Sequence, residues 1–389
     1  MNEHESVPNI RFKGFEDEWK NLKLGELSEI ARGASPRPIN NKKWFSKNSK
    51  IGWLRISDVT EQNGRIFYLK QKLSIQGQKK TRVIKTKHLL LSIAATVGSP
   101  VINYIPTGVH DGFLIFYNPK FDIEFMFQWL QKYRKNWSKF GQPGSQVNLN
   151  SEIVRNQKVY IPEEKEEREI ANLFLKIDRL LDLQQQKIES LELLKKALLK
   201  KLFPKHDAKI PELRFRELEG DWRSCDLGKI AKLYQPKTIT QKQMTSEGYP
   251  VFGANGFIGF YRKKNHSTDQ VTISARGENA GVTSYVLAPV WITGNSMVIN
   301  VDKNADIDKH FLFFDLSSIN LTKFVTGGAQ PQLTSKTLRK VEVLVTEIKE
   351  QQKIGNLLSK VDQVIELENK KLENLQQFKK CLLQNMFVD

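Results

Sequence analysis

The chain consists of two copies of one unit, and this duplication constrains its fold more than any other feature. The segment Pro8 to Ile30 returns as Pro211 to Leu233. A second segment, Gly144 to Phe203, returns as Gly328 to Phe387, with 23 identities in 60 positions and no gap. The stretch between these two segments is longer in the first copy than in the second. Because solenoid repeats have periods of only about 20–50 residues, these copies of roughly 190 residues are duplicated domains.

The basic composition favours a polyanionic partner. The 389 residues include 61 Lys and Arg against 43 Asp and Glu, for a net charge of +18, and the isoelectric point is about 9.6. Nucleic acid is the simplest partner for such a charge, although a need for solubility or a coding bias toward lysine would also produce it. Because acidic residues remain numerous, we expect the positive charge to lie in patches rather than in a basic tail.

Cysteine usage and hydropathy exclude several classes of protein. The two cysteines, Cys225 and Cys381, have no C-x-x-C spacing, and the six histidines have no metal-ligand spacing, so we expect neither a metal site nor a disulfide framework. No apolar run reaches the roughly 18 residues of a membrane span, and the N-terminus lacks an apolar signal core. We therefore expect a cytoplasmic protein without membrane contact.

Each copy begins with a part of mixed α/β character. In the first copy this part spans about residues 15–161, where short apolar segments separated by Gly, Pro and Asn are typical of strands and turns. Phe125 to Trp137 has the pattern of one helix among them. The second copy, from about 227 to 345, repeats this character, with strands in VTISARG and APVWITGNSMVINV and a helix in HFLFFDLSS.

Each copy ends in a long helix with coiled-coil spacing. Glu163 to Phe203 contains neither Pro nor Gly, and apolar residues recur every three or four positions in both copies. Both stripes become polar in the middle, which can fix the register of a coiled coil at a cost in stability. The predicted packing residues are Ile170, Leu173, Ile177, Leu180, Leu191, Leu194 and Leu198 in the first helix and Ile354, Leu357, Val361, Val364, Leu375, Phe378 and Leu382 in the second.

The length of these helices predicts how they pair. At about 1.5 Å per residue, about 40 residues span roughly 60 Å, too long to fold back into one small domain. We expect an antiparallel pair within the chain, with dimerisation through a second chain as the alternative. The predicted fold class is α+β, with two pseudo-symmetric mixed α/β domains separated by two long antiparallel coiled-coil helices. The predicted boundaries are 1–161 and 206–345 for the domains and 162–205 and 346–389 for the helices.

Catalytic motifs are absent from the sequence. There is no G-x-x-x-x-G-K-[ST] phosphate loop, no G-x-G-x-x-G opening a helix, no N-P-P-[YF] tetrapeptide and no P-D…E-x-K nuclease pattern. FGANG, from Phe252 to Gly256, is predicted to be a turn rather than a cofactor loop, and His110-Asp111 a loop or core pair. We therefore predict no catalytic residue, no metal ligand and a binding rather than a catalytic role.

Several polar clusters in the mixed parts are candidates for contact with DNA. Arg can pair bidentately with guanine, Asn or Gln with adenine, and Glu can accept a hydrogen bond from cytosine, while Lys contacts phosphates. WLRISD, from Trp53 to Asp58, alternates like the end of a strand. The motifs from Gly144 and Gly328 place amides just before each final strand, where they can also cap the following structure. The candidates are Lys42, Lys43, Trp44, Arg55, Ser57, Asp58, Gln142, Ser145, Gln146, Asn148, Lys237, Thr238, Asn255, Arg276, Glu278, Asn279, Asn295, Gln330 and Gln332.

Taken together, these motifs resemble the specificity subunits of type I restriction-modification systems over essentially the whole chain. The resemblance rests on the duplicated P-x-[IL]-R-F…W…L-G openings, on G-x-Q-x-x-L before each long helix, and on YPVFGANGFIGFY and VTISARGENAGV. Glu350-Gln351 and Ile354 match the family's E-Q-x-x-I helix start, where the first copy has Glu166-Glu167 instead. The matched openings are Pro8, Arg11, Phe12, Glu16, Trp19, Leu24 and Gly25 with Pro211, Arg214, Phe215, Glu219, Trp222, Leu227 and Gly228.

This resemblance implies a DNA-targeting adaptor that is not itself an enzyme. It implies two target-recognition domains, each binding one half of a split site in double-stranded DNA, and two helical spacers that set the gap. It also implies two methyltransferase subunits docked on the helices, and restriction subunits in the full complex. S-adenosylmethionine, ATP and Mg would then belong to those partner subunits, with no cofactor on this chain. A coiled-coil nucleic-acid scaffold outside a restriction system and a stand-alone DNA-cleaving enzyme are the alternatives.

Overall fold

The computed structural model describes residues 6–140, 149–205, 208–327 and 331–388. The chain forms two compact units. Unit 1 comprises Met1–Gln184 and Lys371–Asp389, and unit 2 comprises Gln185–Lys370. Both long helices cross this division, so each unit contains one mixed domain and a part of each helix. Across the described residues, none of the helices is both long and apolar enough to cross a bilayer.

Unit 1 is a mixed α/β domain built on a five-stranded sheet. The order of this sheet is β2-β9-β6-β7-β4; β3-β8-β5 form a second sheet and β1-β10 a two-stranded pair. Its elements are β1 (Lys20–Lys23), α1 (Leu24–Leu27), β2 (Glu29–Arg32), β3 (Gly52–Leu54), α2 (Ile56–Glu61), β4 (Arg65–Ile66), α3 (Ile75–Gln78), β5 (Arg82–Ile84), β6 (His88–Ser92), β7 (Pro100–Asn103), β8 (Thr107–Val109), β9 (Phe113–Tyr117), α4 (Ile123–Tyr133), α5 (Ser151–Asn156), β10 (Lys158–Ile161) and the first part of α6 (Glu164–Leu202).

The five-stranded sheet is buried on both faces. Successive side chains of a strand point to opposite faces. In β6, Leu89 packs in a core with Phe125 of α4, whereas the next residue, Leu90, packs with Val109 of the smaller sheet. A strand covered on both faces requires a continuous apolar run, which is why this segment reads HLLLS rather than alternating. The helix predicted over Phe125 to Trp137 is confirmed as α4, followed by a 3₁₀ helix over Arg134–Phe140.

Unit 2 repeats this plan with a four-stranded sheet. Its order, β12-β18-β15-β16, corresponds to β2-β9-β6-β7 of unit 1, and β14-β13-β17 form the second sheet. The helix predicted in HFLFFDLSS is confirmed as α8. The elements are β11 (Arg223–Asp226), α7 (Leu227–Ile230), β12 (Lys232–Tyr234), β13 (Tyr249–Gly253), β14 (Gly256–Tyr261), β15 (Gln270–Ser274), β16 (Thr283–Val286), β17 (Trp291–Ile292), β18 (Ser296–Asn300), α8 (Lys309–Ser318), α9 (Ser335–Leu338), β19 (Glu342–Val345) and the first part of α10 (Ile348–Asn385).

The two long helices run antiparallel in each unit. In unit 2, Lys187 pairs with Glu368 at 2.6 Å, and Lys195, further along α6, pairs with Asp362, earlier in α10, at 2.5 Å. In unit 1, the ring of Phe174 lies 5.7 Å from that of Phe387, and Asp178 pairs with Lys379 at 2.7 Å. The predicted antiparallel pair within the chain is therefore confirmed in both units.

The seam between the helices differs from the predicted one at four positions. Leu180, Leu194, Val364 and Phe378 are exposed, so their assignment to the seam was wrong. The heptad register instead continues through polar residues, with Gln184 buried and Lys195 half-buried. The polar middle of each predicted stripe does lie in the seam, at Gln184 and Glu368. The apolar pattern favoured Leu194 and Phe378 over the neighbouring Lys195 and Lys379 because it counts apolar residues only. The buried or half-buried positions are Ile177, Leu181, Gln184, Ile188, Leu191, Lys195 and Leu198 in α6 and Val361, Ile365, Glu368, Leu372, Leu375, Lys379 and Leu382 in α10.

A repeated three-residue cluster joins the opening of each copy to its long helix. In unit 1, Arg11 donates from Nε to Glu166 Oε1 at 2.7 Å and Trp19 donates from Nε1 to Glu166 Oε2 at 3.2 Å. In unit 2, the same bonds join Arg214, Trp222 and Glu350, at 2.8 and 3.1 Å. Both carboxylates are buried. The duplicated R-F…W motif and the helix-start Glu are therefore two parts of one buried ion pair, which fixes the domain on its helix.

Candidate nucleic-acid interface

In unit 2, several chain segments meet at one edge of the sheets. β13 and β17 pair in parallel, so their carboxyl ends lie side by side. β15 runs antiparallel to β18, with Ser274 opposite Ser296, so the residue after β15 meets the residue before β18. β12 also runs antiparallel to β18 and ends near its start. The segments that follow β12, β13, β15 and β17 therefore converge; these segments are called the unit 2 edge below.

Hydrogen bonds join the segments of the unit 2 edge. Asn279 Nδ2 donates to Asn255 Oδ1 at 2.9 Å, and the amide of Ala275 donates to the carbonyl of Asn295 at 2.9 Å. Arg276 forms a backbone bridge with Gln332. A Cβ at Gly294 would lie 2.6 Å from the carbonyl oxygen of Pro236 and 2.7 Å from Thr238 Oγ1, so this close approach requires glycine. The edge is thus a bonded platform rather than a set of independent loops.

The unit 2 edge brings together eight of the residues predicted from sequence. Their side chains are exposed and present guanidinium, amide, carboxylate, hydroxyl and ammonium groups, which is the chemistry that contacts base edges and phosphates. The FGANG segment is confirmed as the turn of the β13–β14 hairpin. The eight residues are Lys237, Thr238, Asn255, Arg276, Glu278, Asn279, Asn295 and Gln332.

Unit 1 has an equivalent edge centred on Asp111. β3 and β8 pair in parallel, with Leu54 opposite Val109, so Arg55 lies beside His110. Ser35 donates to Asp111 Oδ1 at 2.7 Å and Arg37 donates to Oδ2 at 2.6 Å. Arg32 donates to the backbone carbonyl of Asp111 at 2.6 Å. We call this group the unit 1 edge; it consists of Arg32, Ser35, Arg37, Arg55 and Asp111.

The electrostatics of the unit 1 edge favour an ionised Asp111. Burial alone would raise the pKa of this carboxyl group, but the Ser35 hydrogen bond and the charges of His110 and Arg37 outweigh burial and lower it. Burial lowers the pKa of His110 more than Asp111 raises it. The aspartate is therefore a fixed anion that orients Arg37, whose side chain remains 70% exposed. A held but exposed guanidinium suits bidentate contact with a base or phosphate.

Sequence inspection missed Arg32, Ser35 and Arg37. The only signal in the sequence for this site was His110-Asp111. This pair follows β8, as Thr293 to Asn295 follow β17 in the second copy. The prediction of a loop or core pair for His110-Asp111 left out the arginines, because they lie far away along the chain. Only the fold brings these groups together.

The predicted strand end at Trp53 to Asp58 was wrong beyond Leu54. The strand stops there and α2 begins at Ile56. Asp58 is 2% exposed and accepts from the Arg55 amide at 2.9 Å and from the Arg55 guanidinium at 2.8 Å. The Asp58 carboxylate therefore caps the first turn of α2 and orients Arg55. Arg55 and the exposed Ser57 are the groups of this segment that face solvent.

Lys42, Lys43 and Trp44 form a short 3₁₀ helix outside the edge of unit 1. Trp44 donates from Nε1 to the carbonyl of Pro38 at 2.9 Å. Its ring is buried and belongs to the hydrophobic core. Lys43 Nζ lies 4.3 Å from the centroid of that ring, and both lysines are exposed. The remaining candidates, Gln142, Ser145, Gln146, Asn148 and Gln330, lie outside the described residues.

The site has the chemistry of recognition. Within the ranges that the structure describes, no group of three or more His, Cys, Asp or Glu is placed to hold a metal ion. Each unit instead presents an edge of exposed arginine and polar side chains on a repeated domain. Fold and site together define a DNA-recognition protein with two binding domains.

Comparison with known families agrees with this class. The family model described as the type I restriction modification DNA specificity domain matches residues 16–193 and again 219–377. The chain therefore belongs to the family of type I restriction-modification specificity subunits, and its two mixed domains are target-recognition domains. As a specificity subunit, it is not itself an enzyme.

Individual relatives and solved structures are similar over most of the chain. The specificity subunit of the type I restriction enzyme EcoprrI from Escherichia coli is 26% identical over 370 residues, 90% of this chain and 88% of that protein. The MjaVIII specificity subunit from Methanocaldococcus jannaschii is 22% identical over 65% of this chain and 66% of its own length. The S subunit structure from M. genitalium has a TM-score of 0.70 at 17% identity, covering 98% of this chain and 99% of that one. A chain from a structure of type I complex assembly and conformational transition has a TM-score of 0.55 at 17% identity, covering 95% and 97%.

Proposed function

We propose that each target-recognition domain binds one half of a split target in double-stranded DNA, and that the chain carries partner enzymes to this target. Unit 2 binds through Arg276, Asn255, Asn279 and their neighbours, and unit 1 binds through Arg37 and Arg55. The observation that carries this proposal is the formation of an exposed polar edge at the same strand ends in both units. A net charge of +18 supports binding to a polyanion.

Exchange of one domain tests the two-domain proposal. Residues 15–160 would be replaced by those of another family member, and the methylated DNA motif would be determined before and after. We expect one half of the target to change and the other half to stay the same. A change in both halves would contradict independent recognition by the two domains.

The long helices carry two equivalent apolar surfaces. Leu180 and Leu183 of α6 are exposed. The corresponding positions of the second copy hold exposed apolar residues of α10, namely Val364 and Leu367. Exposed apolar side chains at repeated positions mark interaction surfaces, because solvated helix faces are normally polar. Two equivalent surfaces fit two copies of one partner.

We assign these surfaces to two methyltransferase subunits, in keeping with the family. S-adenosylmethionine chemistry would then be supplied by those subunits, and ATP and Mg would act on restriction subunits that join the full complex. The chain's own contribution is recognition and docking. A scaffold that binds nucleic acid without sequence discrimination, or a DNA-cleaving enzyme, would give neither a defined methylated motif nor the stoichiometry tested below.

Native mass spectrometry of the co-expressed complex tests the assignment. We expect two methyltransferase subunits per wild-type chain. Leu180→Asp with Leu183→Asp should remove one, and Val364→Asp with Leu367→Asp should remove the other. Leu193→Asp is the matched control, because Leu193 is 68% exposed but has Gln377 at its repeated position. Full occupancy in both double variants would contradict the assignment, as would loss of a subunit in the control.

A further inference from the structure

The β13–β14 hairpin of unit 2 holds exposed apolar side chains at its tip. Its two-residue turn, Ala254 and Asn255, is followed by Phe257 and Ile258, which are 59% and 44% exposed. The rings of Phe257 and Phe260 pack edge to face with centroids 5.2 Å apart. Large apolar side chains that stay exposed together at the end of a hairpin point to a binding partner.

This tip is fixed to the unit 2 edge. Ser274 donates from Oγ to the carbonyl of Ala254 at 2.5 Å, and Asn279 donates to the side chain of Asn255 at 2.9 Å. The amide of Thr293 donates to the carbonyl of Phe252 at 2.9 Å. The hairpin is therefore continuous with the proposed DNA-binding surface and held at three points, so its aromatic ring is presented on a rigid support.

The charge around the hairpin suits DNA. Arg276 lies between Ser274 and Asn279, the two residues that bond to the tip, and Lys237 lies on the same edge; both are exposed. Positive side chains beside an apolar tip would neutralise phosphates while the tip reaches the bases. An apolar protein surface would not compensate these two charges.

In the described part of unit 1, no such hairpin occupies the equivalent place. There β3 leads directly into α2, with Arg55 and Asp58 paired at the junction. The two domains therefore present different chemistry at the same strand end, ionic in unit 1 and apolar in unit 2.

We propose that the hairpin tip enters a groove of the half-site bound by unit 2 and that Phe257 inserts between neighbouring base pairs there. This inference rests on the proposed function of the unit 2 edge. Apolar wedges of this kind unstack a base step and allow the protein to contact DNA that it has deformed. In the half-site bound by unit 1, all bases except the modified one stay stacked.

The test uses the complex of the full chain with its methyltransferase subunits and DNA bearing 2-aminopurine. The probe would replace, one at a time, each adenine of both half-sites except the methylated ones, because methylation itself takes those bases out of the stack. The wild-type complex should raise the fluorescence at a step in one half-site only. Phe257→Ala should abolish this rise and weaken binding by about tenfold or more, the scale of one base–aromatic stack.

Phe67→Ala is the matched control. Phe67 is also 59% exposed, but it follows β4, which runs parallel to β7 and away from the unit 1 edge. This variant should retain both the fluorescence rise and the affinity. Unchanged binding and fluorescence in Phe257→Ala would overturn the inference, as would a wild-type complex that binds specifically but brightens no step. A wild-type complex without sequence-specific binding would refute the proposed function, and this inference with it.

Discussion

Glu167 offers a sharp test of how the recognition domain of unit 1 is fixed to its helix. This carboxyl lies in the first turns of α6, is 3% exposed and accepts a hydrogen bond from the Asp122 amide at 2.5 Å. Burial is the largest influence and raises the pKa of Glu167 from 4.5 to about 7. In unit 2 the equivalent residue is Gln351, which accepts from the Asp308 amide at 3.0 Å. The second copy thus makes the same contact with a neutral group.

The expected effect follows from the pKa. A carboxyl whose pKa is raised on folding contributes its full stability only below the unfolded pKa, and this contribution is lost as the pH rises through the folded pKa. A rise from 4.5 to about 7 corresponds to a loss of roughly 3 kcal/mol above pH 7. Glu167→Gln removes this loss. It should therefore stabilise the protein by up to about 3 kcal/mol at pH 8, and by less than about 1 kcal/mol at pH 5.

Thermal unfolding at pH 5 and pH 8, followed by tryptophan fluorescence, measures this difference. We expect Glu167→Gln to raise the Tm clearly at pH 8 and little at pH 5. Gln351→Glu in unit 2 is the reciprocal variant and should lower the Tm at pH 8, because Gln351 Nε2 donates to the carbonyls of Asp306 and Thr346. An equal shift of the Tm in Glu167→Gln at both pH values, or a lower Tm at pH 8, would contradict a raised pKa of Glu167.

Three further variants test other parts of the structure. Arg214→Ala leaves the buried carboxylate of Glu350 without its ion pair and should lower the free energy of unfolding by about 3–5 kcal/mol in urea titrations; a loss below about 1 kcal/mol would argue against the ion pair. Arg276→Ala should weaken binding by about 1–3 kcal/mol and relax the base preference in one half-site, as measured by competition between DNA duplexes; uniform weakening across sequences would assign it to phosphate instead. Leu191→Asp with Leu375→Asp places two charges in the helix seam and should abolish co-purification with the methyltransferase subunit; unchanged co-purification would contradict the seam.

The repeat made much of the fold predictable from sequence. Two copies of a Gly- and Pro-rich mixed segment followed by a long uninterrupted helix predict two domains and a helix pair, and the structure confirms this. The local sequence pattern gave wrong predictions where contacts between distant residues determine the structure. The seam passes through Lys195, which is half-buried, although the apolar pattern favours its exposed neighbour Leu194. Likewise, α2 begins at Ile56 because Asp58 bonds to the Arg55 backbone, although the segment alternates like a strand.

Eight residues of the unit 2 edge were predicted from sequence, but their meeting was predictable only where they are close along the chain. Arg276, Glu278 and Asn279 share one turn, so their polar composition was visible in the chain. The unit 1 edge combines Arg32 and Arg37 with Asp111, and no local motif joins groups so distant. The role of Asp58 as the partner of Arg55 is not visible in the sequence either, because it depends on the burial of this carboxylate. Sequence therefore indicates which residue types bind DNA, while the sheet topology decides which of them meet.

Methylation sequencing of DNA from cells that express this chain with its methyltransferase subunit tests whether the chain chooses the target. We expect one split motif with modified adenine in both halves, and loss of that methylation when this chain is deleted. The same methylation in the absence of this chain would contradict its role in choosing the target.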